Sequence, residues 1–108
     1  MGPVAVEERR LGEATKRLVA EFHPEKVYLF GSRAWGRATE DSDYDFAVIV
    51  AESDDTPIRR AQRAHRALSG LEFPTDILVK THAEFERYSK VHASIECQVL
   101  EEGLLLYG

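Results

Sequence analysis

Three carboxylates and a Gly-Ser pair are the residues of this chain whose types and spacing suit chemistry. Asp43 and Asp45 stand at the head of the apolar run Phe46-Ala47-Val48-Ile49-Val50. Residues two apart in a strand project from one face, so this spacing aims both carboxylates into one small volume. Like charges that close raise each other's pKa unless a cation sits between them. Hard oxygen ligands of this kind suit Mg²⁺, or Mn²⁺, better than Zn²⁺. Asp76 is an isolated carboxylate inside Thr75-Asp76-Ile77-Leu78-Val79, where a buried charge needs a partner. If its strand pairs with the Asp43 strand, three carboxylates gather at one sheet edge, as a two-metal phosphoryl-type transfer requires. Gly31-Ser32 directly follows another apolar run. Glycine lets the backbone approach a phosphate, Ser32 adds a hydroxyl, and N–H groups at a helix start attract anions. Singly, each feature is also explained by a plain turn or a solvated acidic loop; together they point to one site.

The elements that must position these residues follow from periodicity. Leu11, Ala14, Leu18, Val19 and Phe22 recur at three- and four-residue spacing, predicting a helix from Val6 to Phe22 that His23-Pro24 ends. Lys26 to Phe30 reads as a buried strand stopped by Gly31, and Ser32 to Ser42 as a helical turn followed by a loop. Asp43 to Val50 becomes continuously apolar, as a central strand covered on both faces does. Thr56-Pro57 caps a helix from Ile58 to about Leu68, closing at Gly70. Phe73 to Lys80 is a third strand with Pro74 at its entrance. Helical pattern returns over Ala83–Tyr88 and Val91–Glu102, where Val91, Ile95 and Val99 share a face and Gly103 suits the C-cap. Leu104 to Tyr107 can add a short edge strand. The order predicts an α/β (α+β) domain over residues 1–108, a small mixed sheet flanked by helices.

Composition narrows the function classes. The chain has 108 residues, 14 Lys plus Arg against 19 Asp plus Glu, and a net charge of −5, which argues against a general nucleic-acid backbone binder and permits cations. A hydrophobic fraction of 44% with 31% charged residues is that of an ordinary globular domain. The lone Cys97 can form no internal disulfide, which fits a reducing cytoplasmic setting. No apolar run approaches the ~20 residues that span a membrane, and no signal-peptide pattern is expected.

The run from Gly31 to Asp45, GSRAWGRATEDSDYD, resembles the signature of the polymerase-β-type nucleotidyltransferases: Gly-Ser, about ten residues, Asp-x-Asp, and a third carboxylate on a later strand. More narrowly it is similar to the minimal nucleotidyltransferases, stand-alone catalytic cores that often act as antitoxins beside a HEPN-domain toxin. By position, the resemblance implies that Gly31 and Ser32 hold the triphosphate of ATP, with Arg33 and Arg37 as phosphate contacts. It implies that Asp43 and Asp45 ligate two divalent ions, Mg²⁺ or Mn²⁺. Asp76 then joins the catalytic ion and helps deprotonate the attacking hydroxyl. The implied reaction transfers AMP from ATP onto a hydroxyl, a tyrosine of the partner toxin. The alternative is a non-catalytic antitoxin that neutralises its toxin by docking; homo-oligomerisation is left open.

Rival readings of the same residues are weaker. Asp41, Asp43, Asp45 and Glu52 fall on positions one, three, five and twelve of a calcium loop, but Phe46 stands where that loop needs glycine. Arg60 and His65 form an Arg-x4-His pair on one short helix; with Arg59, Arg63 and Arg66 they are expected to form a solvated or partner-facing surface. His23, His65, His82 and His92 lack metal-ligand spacing and are expected at the surface. Trp35 packs over the motif loop or at an interface, and Cys97 is expected in the core.

Overall fold

The computed structural model describes residues 3–36, 38–39 and 42–108. Its elements run α1 (Pro3–Phe22), β1 (Lys26–Phe30), β2 (Tyr44–Val50), α2 (Pro57–Ala67), β3 (Thr75–Thr81), α3 (His82–Ser89), α4 (Ile95–Glu102) and β4 (Leu104–Tyr107). The strands form one sheet in the order β3-β2-β1-β4. β1 pairs antiparallel with both β2 and β4, while β2 and β3 run parallel, so the sheet is mixed. The parallel pair needs a crossover, and α2 supplies it. No helix among the described residues is long and apolar enough to cross a membrane.

Period-two alternation splits the apolar residues of the sheet into two cores. Val27, Leu29, Tyr44, Phe46, Val48, Val50 and Val79 pack with Ala14 and Leu18 of α1, Ala64 of α2 and Leu68, the C-cap of α2. Tyr28, Phe30, Ala47 and Ile49 point the other way, against Phe85 of α3 and Val99 of α4. β2 is therefore covered on both faces, and Phe46, Ala47 and Val48 are fully buried. Each large side chain so buried contributes about 1.5–3 kcal/mol. This double cover is why the strand reads as an unbroken apolar run.

Several expected boundaries move for identifiable reasons. α1 begins at Pro3, a residue that the first helical turn tolerates. The last helix starts at Ile95, not Val91, because Ser94 is its N-cap and accepts a bond from the Cys97 N–H at 3.0 Å. Val91 and Ile95 are consequently half exposed, at 51% and 41%, and only Val99 of the expected face is buried. Gly103 does cap this helix, but in extended conformation, with φ −73°. Glycine is needed there for room: a Cβ would collide with the Val99 carbonyl and come within 3.3 Å of that of Leu29.

The four histidines are exposed and Cys97 is buried, as expected. The arginines of α2 are not simply solvated. Arg60 is 7% exposed and its Nη1 donates to Glu84 of α3 at 2.7 Å. Arg63 binds Glu21 of α1 and Asp55, and its guanidinium lies 4.7 Å from the Phe22 ring.

α3 starts with a reciprocal capping box. The Glu84 N–H donates to Thr81 Oγ1 at 3.2 Å, and the Thr81 N–H donates to Glu84 Oε1 at 2.8 Å. The Thr81 N–H, then the Arg60 guanidinium, hold the Glu84 carboxyl below its ordinary value. Thr81→Ala is therefore expected to cost about 1 kcal/mol in chemical denaturation, with Thr81→Ser close to wild type. Equal stability of the Ala variant would show the cap to be energetically idle.

Candidate active site

The carboxylates and the Gly-Ser pair meet where β1 ends and β2 and β3 begin. In the β2–β3 ladder, Asp45 lies directly opposite Asp76, and in the β1–β2 ladder Phe30 lies opposite Asp45. Alternation puts Asp45 and Asp76 on the α3–α4 side of the sheet, with Tyr44 between Asp43 and Asp45 turned to the α1–α2 side. Asp43 precedes the first residue of β2 and is exposed. The strand assignment also removes the calcium-loop reading, since residues 45–49 are paired on both sides.

Gly31 closes the site from the β1 side. Its φ is +76°, which a side chain disfavours, and its carbonyl accepts from the N–H groups of Ala34 and Trp35 at 3.0 and 3.1 Å. That is the single helical turn expected after β1. A Cβ on Gly31 would collide with the Asp45 carboxylate, lying 3.1 Å from its Cγ. Glycine is thus needed twice over, for the conformation and for the approach of the carboxylate.

Burial pushes the Asp45 carboxyl above its ordinary pKa, and the charges of Asp76 and Asp43 push it further in the same direction. The charges of Asp43 and Asp76 therefore both reach Asp45. Their side chains do not converge as they stand: among the described residues no group of three His, Cys, Asp or Glu is disposed to hold a metal ion. The donor chemistry nonetheless fits a hard divalent cation, since every donor is a carboxylate oxygen and mutual repulsion is what such a cation relieves.

Of the expected phosphate contacts, Arg37 lies outside the described residues. Arg33 is turned away from the carboxylates. Its Nη2 and Nε donate to the Ser42 carbonyl at 2.8 and 3.2 Å, its guanidinium carbon lies 4.0 Å from the Tyr44 ring centre, and Nη1 is 3.9 Å from Glu7. The Arg33 side chain is 8% exposed. Spacing alone could not show this, because a residue two after the glycine can point to either side of the turn. Trp35 packs beside the turn and, with His92, Gln98, Glu101 and Glu102, lines a cleft of about 630 Å³. No motif in the sequence marks the α4 residues of that cleft.

The sequence and the fold have counterparts among known proteins. The family model described as "Polymerase beta, Nucleotidyltransferase" matches residues 13–108. No curated protein matches the chain by sequence. Among solved structures, a chain from a toxin–antitoxin crystallised with AMP-PNP is 27% identical, with a TM-score of 0.66, over 91% of this chain and 73% of its own. A nucleotidyltransferase-like protein from Sulfolobus solfataricus is 22% identical, with a TM-score of 0.64, over 97% of this chain and 87% of its own. A chain from a mutant of the toxin–antitoxin MntA-HpeT is 24% identical, with a TM-score of 0.63, over 91% and 72%. With the Gly-Ser turn, the paired aspartates and the fold all in agreement, the chain belongs to the polymerase β nucleotidyltransferase family.

Proposed function

We propose that this chain is a metal-dependent nucleotidyltransferase that moves AMP from ATP onto a protein hydroxyl, acting as the antitoxin of a toxin–antitoxin pair. The acceptor in this reading is a tyrosine of a HEPN-domain toxin. The observation that carries it is the register of Asp45 opposite Asp76, with Gly31 leaving room beside Asp45. Membership of the family supports nucleotidyl transfer. The 27% identical neighbour, a toxin–antitoxin with AMP-PNP, supports both an adenine nucleotide and a toxin partner.

In this reading the turn after β1 holds the triphosphate through the Ser32 hydroxyl and the backbone N–H groups at its start. Asp43 and Asp45 would hold the divalent ions, and Asp76 would join them. Bound ions of this kind neutralise the phosphates and acidify the attacking hydroxyl. The hydroxyl oxygen forms a bond to the α-phosphorus as the bond to the bridging oxygen breaks. Pyrophosphate leaves with that electron pair, and Asp76 receives or steers the hydroxyl proton.

The test is label transfer to a co-purified partner. α-Labelled ATP should label the partner, γ-labelled ATP should not, and Asp76→Asn should lower labelling by roughly 10²–10⁴-fold. Labelling from the γ-position would overturn nucleotidyl transfer in favour of phosphorylation. Neutralisation of a toxin without label would favour the docking antitoxin.

A further inference from the structure

We propose that Arg33 is a positioning residue that fixes the Asp43-x-Asp45 segment from behind the sheet, rather than a ligand of the nucleotide. The proposal rests on the reading of Asp43, Asp45 and Asp76 as a divalent-cation site. Asp43 lies one residue before β2, so the sheet ladder does not hold it. Its two neighbours are held instead, and by one side chain. The Arg33 guanidinium donates twice to the carbonyl of Ser42 and lies 4.0 Å from the ring centre of Tyr44. A planar guanidinium can chelate one oxygen with two N–H groups and stack on an aromatic face at once, which a lysine ammonium cannot.

The anchor beneath is itself rigid. Tyr44 is 1% exposed, and its N–H donates to the Pro74 carbonyl at 3.0 Å at the entrance to β3, two residues before Asp76. Its ring meets Phe73 edge-on at 4.9 Å, and the Arg10 guanidinium of α1 lies 5.3 Å from Phe73. Glu7, also on α1, faces Arg33 at 3.9 Å. Helix, turn and two strand entrances therefore converge behind the carboxylates. Burial of Arg33 in this stack separates its guanidinium from the face on which Asp45 and Asp76 project.

Outer groups that orient metal ligands typically matter by about 10–100-fold in metal affinity or activity. Binding of Mg²⁺ alone, by calorimetry, and of Mn²⁺, by electron paramagnetic resonance, can be measured without turnover. Arg33→Met and Tyr44→Leu should each weaken cation binding by roughly 10-fold or more, and the double variant should be little worse than either, since both break one stack. Arg33→Lys, the variant least disturbing to the fold, should also fail to restore binding. At saturating Mg²⁺ the KM for ATP should stay within about twofold of wild type while kcat falls. A raised KM for ATP with unchanged cation affinity would overturn the proposal and return Arg33 to the phosphates. Wild-type cation binding in Arg33→Lys and Arg33→Met would overturn it as well. A wild-type chain that binds neither cation would overturn the site reading itself, a result distinct from either of these.

Discussion

Asp45→Asn should abolish nucleotidyl transfer and, at neutral pH without divalent cations, make the protein more stable. The first effect follows from removing a charged oxygen donor from the centre of the carboxylate group and is expected to reach about 10²–10⁴-fold. The second follows from linkage. Burial, then Asp76, then Asp43 raise the Asp45 carboxyl above its ordinary pKa, so the folded chain holds that proton more tightly than the unfolded chain does. Below the ordinary carboxylate range the group is protonated in both states and the stabilisation from holding the proton is fully present. As pH rises through the folded pKa this stabilisation is lost, because the charge forms beside two like charges. Asparagine has the same shape and no charge, so at pH 7 the variant should melt a few degrees higher in chelator, by roughly the shift that a fraction of a kcal/mol gives a domain of this size.

The two proteins should then separate in opposite directions as conditions change. Lowering the pH below the ordinary carboxylate range should close the gap between their melting temperatures. Adding Mg²⁺ should raise the wild-type value through ligand linkage and leave the variant nearly unmoved. Such a trade of stability against function is characteristic of sites where like charges are held together for chemistry. A variant less stable than wild type at pH 7 in chelator would remove the electrostatic account. One that still transfers label at the wild-type rate would remove Asp45 from the reaction.

How much of this arrangement is legible in the residues depends on whether the information is local. The apolar run after Asp45 announces a strand buried on both sides, because β2 has both cores against it. Gly31 announces a turn, because its backbone needs positive φ. Neither signal says which strand lies beside which. The meeting of Asp45 with Asp76 requires β3 to return parallel to β2 through the α2 crossover; an antiparallel return would place a different residue opposite Asp45. The start of α4 was obscured by Val91, whose apolar side chain continues the helical period while the chain there turns toward the Ser94 cap. The arginines were the hardest to read. Arg33 is expected at the phosphates and Arg60 on a solvated or partner-facing surface, and both are buried through long stems that reach distant partners, the Tyr44 ring and Glu84. A flexible side chain carries no period, so its destination is visible only once the fold brings the partners together.

Gly31→Ala should eliminate transfer in a protein that still folds, and Gly36→Ala supplies its control. The two glycines have nearly the same backbone, φ +76° and φ +73°, so a Cβ costs similar conformational strain at each, on the order of 1–2 kcal/mol. They differ in what the Cβ meets. At Gly36 no non-adjacent atom among the described residues lies within 4 Å, whereas at Gly31 the new methyl runs into the Asp45 carboxylate. Relief at Gly31 is available only by swinging Asp45 aside, since the carboxylate is the flexible partner and the turn is tied by the bonds of Ala34 and Trp35 to the Gly31 carbonyl. Swinging it aside moves it from its place opposite Asp76. Both variants should therefore lose stability by comparable amounts, a drop in melting temperature of several degrees each, while only Gly31→Ala loses activity, by roughly 10²-fold or more beyond its partner. Mg²⁺ should stabilise Gly36→Ala as it does wild type and should do little for Gly31→Ala. Equal activity in the two variants would mean that the turn is merely a connection, and that the approach of Gly31 to Asp45 has no part in catalysis.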